Sequence, residues 1–174
     1  MTTPWTTPTT ITQYAEEGAE EAHISWYPVD AVNLRTQPSG IICTDGELIH
    51  ISRSPKYDIK NKTYYLKATG FDFKDIPETI SGIEVRIKTN RNGRATDDTV
   101  QLCLEGEVIG ENRATLEVLP EKIYGNSTDV WEISDTSTSI LTTSTFGVII
   151  RFKSHPDWPH KDPVSVEAVQ MRIH

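Results

Sequence analysis

Between Ile80 and Glu105 the chain alternates apolar and polar residues in two runs separated by a polar stretch, a pattern that few folds accommodate. Ile83, Val85 and Ile87 fall on one side of a pleat, and Glu84, Arg86 and Lys88 on the other. Beyond Asn90 to Asp98, Val100, Leu102 and Leu104 alternate with Gln101, Cys103 and Glu105. A two-residue repeat with one wet face belongs to antiparallel strands covering a core. The two runs read as a hairpin with a polar tip, and Cys103 falls on its solvent side.

The same reasoning extends to both ends of the chain. Short β segments are expected at His23 to Tyr27, Asp30 to Arg35, Gly40 to Thr44 and Glu47 to Arg53. The Asp45-Gly46 pair signals a tight hairpin between the last two. Tyr64 to Thr69 and Thr115 to Leu119 supply further strands. Trp131 and Ile133 return to the core, and Asp135 to Thr145 wraps the surface with a short turn capped at Asp135 or Ser137. Phe146 to Lys153 carries Val148, Ile149 and Ile150 in succession, which predicts a central strand buried on both faces. In Val164 to Ile173 the apolar phase flips between Val166 and Val169, which predicts a β-bulge near Glu167 or Ala168. No long helical period interrupts these segments. The fold class that follows is all-β, an antiparallel two-sheet sandwich of jelly-roll type, with an immunoglobulin-like sandwich as the alternative.

Seven of the first fourteen residues are threonine, broken by Pro4, Trp5 and Pro8. Such a run has little apolar surface to bury, so residues 1–21 read as an extended, then acidic, N-terminal arm, and 22–174 as the folded domain. The arm is either a free tail or an extension that docks on a neighbouring subunit. In the second case Pro4, Trp5, Pro8, Ile11 and Tyr14 are its contacts, because aromatic and aliphatic anchors bury area at little entropic cost.

Composition removes several function classes. A net charge of -8 with scattered Lys and Arg is unsuited to neutralising phosphates, which excludes nonspecific nucleic-acid binding. No apolar run approaches the ~20 residues of a membrane span, and Met1 to Tyr14 lacks the basic start and apolar centre of a signal peptide, so cytoplasmic synthesis is expected. Cys43 and Cys103 match no ligand spacing and read as free thiols. Asn61-Lys62-Thr63 and Asn126-Ser127-Thr128 match the glycosylation triplet, which has no meaning without secretion.

Candidate chemistry is sparse. His155, Asp157, His160 and Asp162 share one proline-fixed loop, but no two-His zinc spacing is present. Trp158 at that loop is a preorganised contact for a protein or a sugar. Asp97 and Asp98, with Asn90, Asn92 and Glu84, offer oxygens to calcium, though a hydrophilic hairpin tip is the simpler explanation of them. Arg91, Asn92, Gly93 and Arg94 form a solvated tip that is able to touch a phosphate. Glu16 and Glu17 are adjacent, and a glycosidase needs its carboxylates at a controlled separation. No Gly-x-Ser-x-Gly turn presents a nucleophile.

From Tyr64 onward, the phrases Tyr65-Leu66-Lys67-Ala68-Thr69-Gly70-Phe71, Ile76-Pro77 and Ile80 to Ile87 are followed in order by Asp97 to Leu102, Val108-Ile109-Gly110, Tyr124-Gly125, Asp129-Val130-Trp131 and Phe146-Gly147-Val148. This succession resembles a β-sandwich module of tailed-bacteriophage virion proteins and covers about 110 residues; the longer N-terminal third departs from it. The resemblance implies a noncatalytic structural protein without a cofactor, most simply a capsid decoration or cement protein on the outer surface of the virion. It would form a trimer and contact the major capsid protein or other virion proteins. A neck, tail or baseplate component is the first alternative. The second is a glycan- or receptor-binding fibre module that uses Trp158 and Trp26 as sugar platforms.

Overall fold

A computed structural model describes residues 1–14, 26–28, 49–51, 62–90, 95–154 and 165–174. The strands expected at Asp30 to Arg35 and Gly40 to Thr44, the Asp45-Gly46 turn, Cys43, the Arg91 to Arg94 tip and the His155 to Asp162 loop with Trp158 lie outside these residues. Ten strands run through the described part: β1 Pro8–Tyr14, β2 Trp26–Pro28, β3 Ile49–Ile51, β4 Tyr65–Phe71, β5 Ile83–Asn90, β6 Ala95–Leu104, β7 Glu107–Ile109, β8 Glu121–Tyr124, β9 Gly147–Ser154 and β10 Ser165–Ile173. One short helix, α1 Thr138–Leu141, follows Ser137 as its N-cap residue. The protein is therefore all-β.

The strands form two antiparallel five-stranded sheets, in the orders β1-β4-β9-β6-β7 and β2-β3-β10-β5-β8. Alternation puts Leu66 and Ala68 of β4, Val100 and Leu102 of β6, and Val148, Ile150 and Phe152 of β9 on the inner side of the first sheet. Ile83, Val85 and Ile87 of β5 and Val169, Met171 and Ile173 of β10 do the same in the second, and all of them belong to one apolar cluster. Trp131, with its indole Nε1 donating to the Ile83 carbonyl at 2.8 Å, joins that cluster from the loop after β8. β9 is central in its sheet, and Val148, Ile149 and Ile150 are all fully buried, as their succession predicts. The register of β10 on β5 shifts between Val166 and Ala168, which puts the expected bulge at Glu167.

Four expectations need correction. First, β5 and β6 are not a hairpin. β5 lies between β10 and β8, while β6 lies between β9 and β7 in the other sheet. Alternation reports which side of a strand is wet, and says nothing about which strand is its neighbour. The actual hairpin joins β6 to β7, through Glu105 at φ 53 and Gly106 at φ 93, as a two-residue mirror-image turn requires. Second, Cys103 is buried on the outer side of its sheet, where its register partners are Gly147 and Val108. Lys67 and Tyr14 are its side-chain neighbours on that face. Third, Thr115 to Leu119 is a loop, and the strand there is β8. β8 inverts the usual pattern, burying Lys122 and exposing Ile123.

The fourth correction concerns the N-terminal arm, because Met1 to Tyr14 docks on its own domain. The Thr3 amide donates to the Ile173 carbonyl at 2.9 Å, and Thr6 and Met171 exchange two backbone hydrogen bonds along the edge of β10. The chain then crosses to the other sheet, where β1 pairs with β4 from Pro8 opposite Phe71 to Tyr14 opposite Tyr65. Ile11 is fully buried, and Pro8 is buried as well. Threonine is a good strand residue, so a Thr-rich run with one correctly phased isoleucine is enough for an edge strand.

Candidate functional site

Three clusters of polar side chains emerge from this frame. The first is internal. The β6 bulge between Asp97 and Thr99 sends Asp97 inward and Asp98 outward. The Asp97 carboxylate accepts from Lys122 Nζ at 2.5 Å and from the Tyr124 hydroxyl at 2.8 Å, both on β8 of the opposite sheet. Lys122 also donates to Thr115 Oγ1 at 2.5 Å and to the Glu117 carbonyl at 3.1 Å, so its ammonium is fully engaged. This cluster ties the two sheets together and holds the loop before β8.

The second cluster covers the outer face of the β1-β4-β9-β6 sheet. Tyr14 and Tyr65, opposite each other in the β1–β4 register, stack with ring centroids 5.0 Å apart. The Arg151 guanidinium lies 4.1 Å from the Tyr65 ring centroid, and Lys67 Nζ lies 5.8 Å from that of Tyr14. Asp98 accepts from Arg151 Nε at 2.7 Å, with Lys62 at 3.3 Å and Lys153 at 3.4 Å. Burial works to raise the Asp98 pKa, but the Arg151 and Lys62 charges outweigh it and leave the carboxyl below its ordinary value. Burial is the main cause that pushes the Tyr14 hydroxyl up to about 12, with the neighbouring Tyr65 and Cys103 adding to it. Burial also raises the Cys103 thiol to about 11, against the opposing pull of Lys67.

The third cluster lies on the outer face of the other sheet. Trp5 stacks against two guanidinium groups, Arg86 at 4.5 Å and Arg172 at 4.4 Å from its ring centroid. Arg86 Nε donates to Gln170 at 2.8 Å, and Arg172 pairs with Glu84. Burial alone would raise the Glu84 pKa; hydrogen bonds from Arg172 and His174 lower it below the ordinary value. Apart from these clusters, a shallow pocket of about 270 Å³ opens beside α1, with Leu104, Ile109 and Ile133 as its floor and Glu132 and Asp135 at its rim. Trp131 and Glu132 there both take left-handed backbone angles, φ 56 and 58, held by the Trp131 amide donating to Asp129 Oδ1 at 2.8 Å.

The residues expected to contact partners are thus dispersed. Ile11 and Pro8 are buried within the domain, Pro4 is exposed, Trp5 is stacked on its own arginines, and Tyr14 remains 37% exposed. Trp26, proposed as a sugar platform, is fully buried, with its Nε1 donating to the Tyr64 carbonyl at 2.8 Å. The oxygens suggested for calcium separate: Asp97 faces inward to Lys122, Asp98 faces outward to Arg151, and Glu84 belongs to the other sheet. The Tyr14–Tyr65 pair was not anticipated, and the phasing of Tyr65 with Lys67 opposite Leu66 and Ala68 was the available signal. No family model, curated protein or solved structure matches the chain. Among the described residues no helix is long and apolar enough to cross a membrane.

Proposed function

We propose that this chain is a noncatalytic structural protein of tailed-bacteriophage virions, a decoration or cement protein that forms a trimer on the outer capsid surface and stabilises the head through contacts bridging subunits. One observation carries the reading: the strand order. Leaving aside β1 and β2, the order β3-β10-β5-β8 in one sheet and β4-β9-β6-β7 in the other makes successive strands switch sheets at every step except the β6–β7 hairpin. That succession fits two interlocked Greek keys, a jelly-roll sandwich, an architecture of viral capsid and lectin domains. The fold alone does not fix a function.

The edge strand β8 supports a bridging role. Ile123 on β8 is 51% exposed, and Leu116 and Leu119 in the loop before it are 56% and 41% exposed. Among the described residues β8 pairs with β5 alone, and apolar groups beside such an edge invite another chain, so covering them is one way to join copies to each other or to the shell. The N-terminal strand already has its partners at home, and it contributes to bridging only where those same pairings form between copies.

Quantitative mass spectrometry of purified particles, with light scattering on the isolated protein, tests this proposal. Many copies per head and a trimer disrupted by Ile123→Lys are expected. Absence from particles would refute it, and a low fixed copy number at the tail axis would shift the assignment to a neck, tail or baseplate component.

A further inference from the structure

We propose that the outer face of the β1-β4-β9-β6 sheet binds a carboxylate-bearing oligosaccharide, with Tyr14 and Tyr65 as the ring platform and Lys62, Lys67 and Lys153 as the cations that receive the carboxylates. The site is independent of where in a particle the chain resides. Its first support is charge. Among the described residues, Lys62, Lys67, Arg151 and Lys153 gather on this face against the carboxylates Asp98 and Glu107, on a chain whose net charge is -8. A cationic surface on an acidic protein draws an anion and repels the same face of another copy.

The second support is the aromatic pair. The two tyrosines are stacked in strand register on rigid backbone, and Tyr14 leaves part of its ring open to solvent. A preplaced ring offers apolar contact to the C–H face of a sugar without much loss of rotamer freedom. Arg151 is a positioning residue. Clamped between the Tyr65 ring and Asp98, it fixes the platform while Lys62 and Lys153 keep more than a third of their side chains exposed. The third support is what this surface lacks for a protein partner. Interfaces are centred on exposed apolar anchors, yet at the middle of this face Ile149 and Cys103 are fully buried, and its exposed aliphatic residue, Val108 on β7, lies at the opposite end of the sheet from β1 and the tyrosine pair. The exposed Leu116, Leu119 and Ile123 belong to β8 and the loop before it, in the other sheet.

Calorimetric titration of the full-length chain with a panel of uronate and sialate oligosaccharides, their neutral counterparts and a polyglutamate peptide tests the proposal. An acidic sugar is expected to bind, its neutral counterpart at least tenfold more weakly, and polyglutamate not at all. Lys67→Gln and Tyr14→Ala should each weaken binding about tenfold, the scale of one lost charged or ring contact at a partly exposed site. Tyr14→Phe, which keeps the ring and the fold, should retain it, and Ile123→Lys should leave it unchanged. No binding by any acidic sugar, equal binding of polyglutamate (an acidic protein surface as the true partner), or full affinity in Tyr14→Ala would overturn the assignment.

Discussion

Removing one member of the Asp97–Lys122 pair should cost more stability than removing both. Lys122→Met removes the ammonium from the buried Asp97 carboxylate, which keeps the Tyr124 hydroxyl at 2.8 Å. Asp97→Leu leaves a buried ammonium facing Thr115 Oγ1 and the Glu117 carbonyl. An uncompensated buried charge costs about 3–5 kcal/mol. In the double variant no charge is stranded; the Tyr124 hydroxyl and the Thr115 amide lose one acceptor, for about 1–3 kcal/mol. For a chain of this size each kcal/mol corresponds to roughly 2–4 °C in Tm, so the single variants should melt about 6–20 °C lower and the double variant much closer to wild type. Urea unfolding followed by tryptophan fluorescence, which reports on the buried Trp26 and Trp131, measures all four corners of the cycle. A double variant as unstable as either single, or singles within about 1 kcal/mol of wild type, would show that the pair does not join the sheets as described.

Three further outcomes follow from the same geometry. Ile11→Ala should lose about 2–5 kcal/mol, because the N-terminal strand is part of the core, and a change within error by denaturant titration would return residues 1–14 to the status of a loose tail. Asp98 and Glu84 have folded-state pKa values below their unfolded ones, so the stability they add is complete above about pH 4–5 and is lost as pH falls through the lower folded values. Asp98→Asn together with Glu84→Gln should therefore flatten the acid limb of Tm against pH, and an unchanged limb would remove them as its cause. Cys103, buried and with its thiol pushed up to about 11, should resist alkylation at neutral pH in the folded protein and react on unfolding, as peptide mass mapping would record; rapid labelling in the native state would contradict the burial.

What the sequence revealed was facing, and what it concealed was adjacency. The consecutive Val148, Ile149 and Ile150 predict a strand covered on both sides, and the phase flip after Val166 predicts a bulge, because each is a local consequence of the pleat. Pairing is non-local: the same alternation in β5 and β6 is satisfied equally by a hairpin or by strands in opposite sheets, and packing against β10 and β9 decides. β8 escaped because its inward residue Lys122 owes its burial to Asp97 on another strand, a partnership invisible in Glu121 to Tyr124 alone. The tyrosine face was half legible. Tyr65 and Lys67 share a phase, but Tyr14 reaches Tyr65 only once β1 is placed along β4.

The N-terminal strand links the two proposals, because Tyr14 belongs to the sugar platform and to the segment that an arm-exchange mechanism would hand to a neighbour. β1 closes its own domain on both sides: it pairs with β4, and the Gln13 side chain donates to the Trp26 carbonyl at 2.9 Å and accepts from its amide at 2.7 Å. A swapped strand would keep the same register on a neighbour's β4, so the platform would survive with its two rings from different copies. Directly opposed residues in an antiparallel pair have Cα atoms about 4.5–5.5 Å apart, within the reach of a disulfide. Tyr14→Cys with Tyr65→Cys, in a chain carrying Cys43→Ser, should therefore cross-link on mild oxidation. Non-reducing electrophoresis should show a faster-migrating monomer, because the structure closes the strand at home. A covalent dimer or ladder at dilute protein concentration would mean that the strand is exchanged, and Tyr14 would then count as a residue donated to the neighbour's platform.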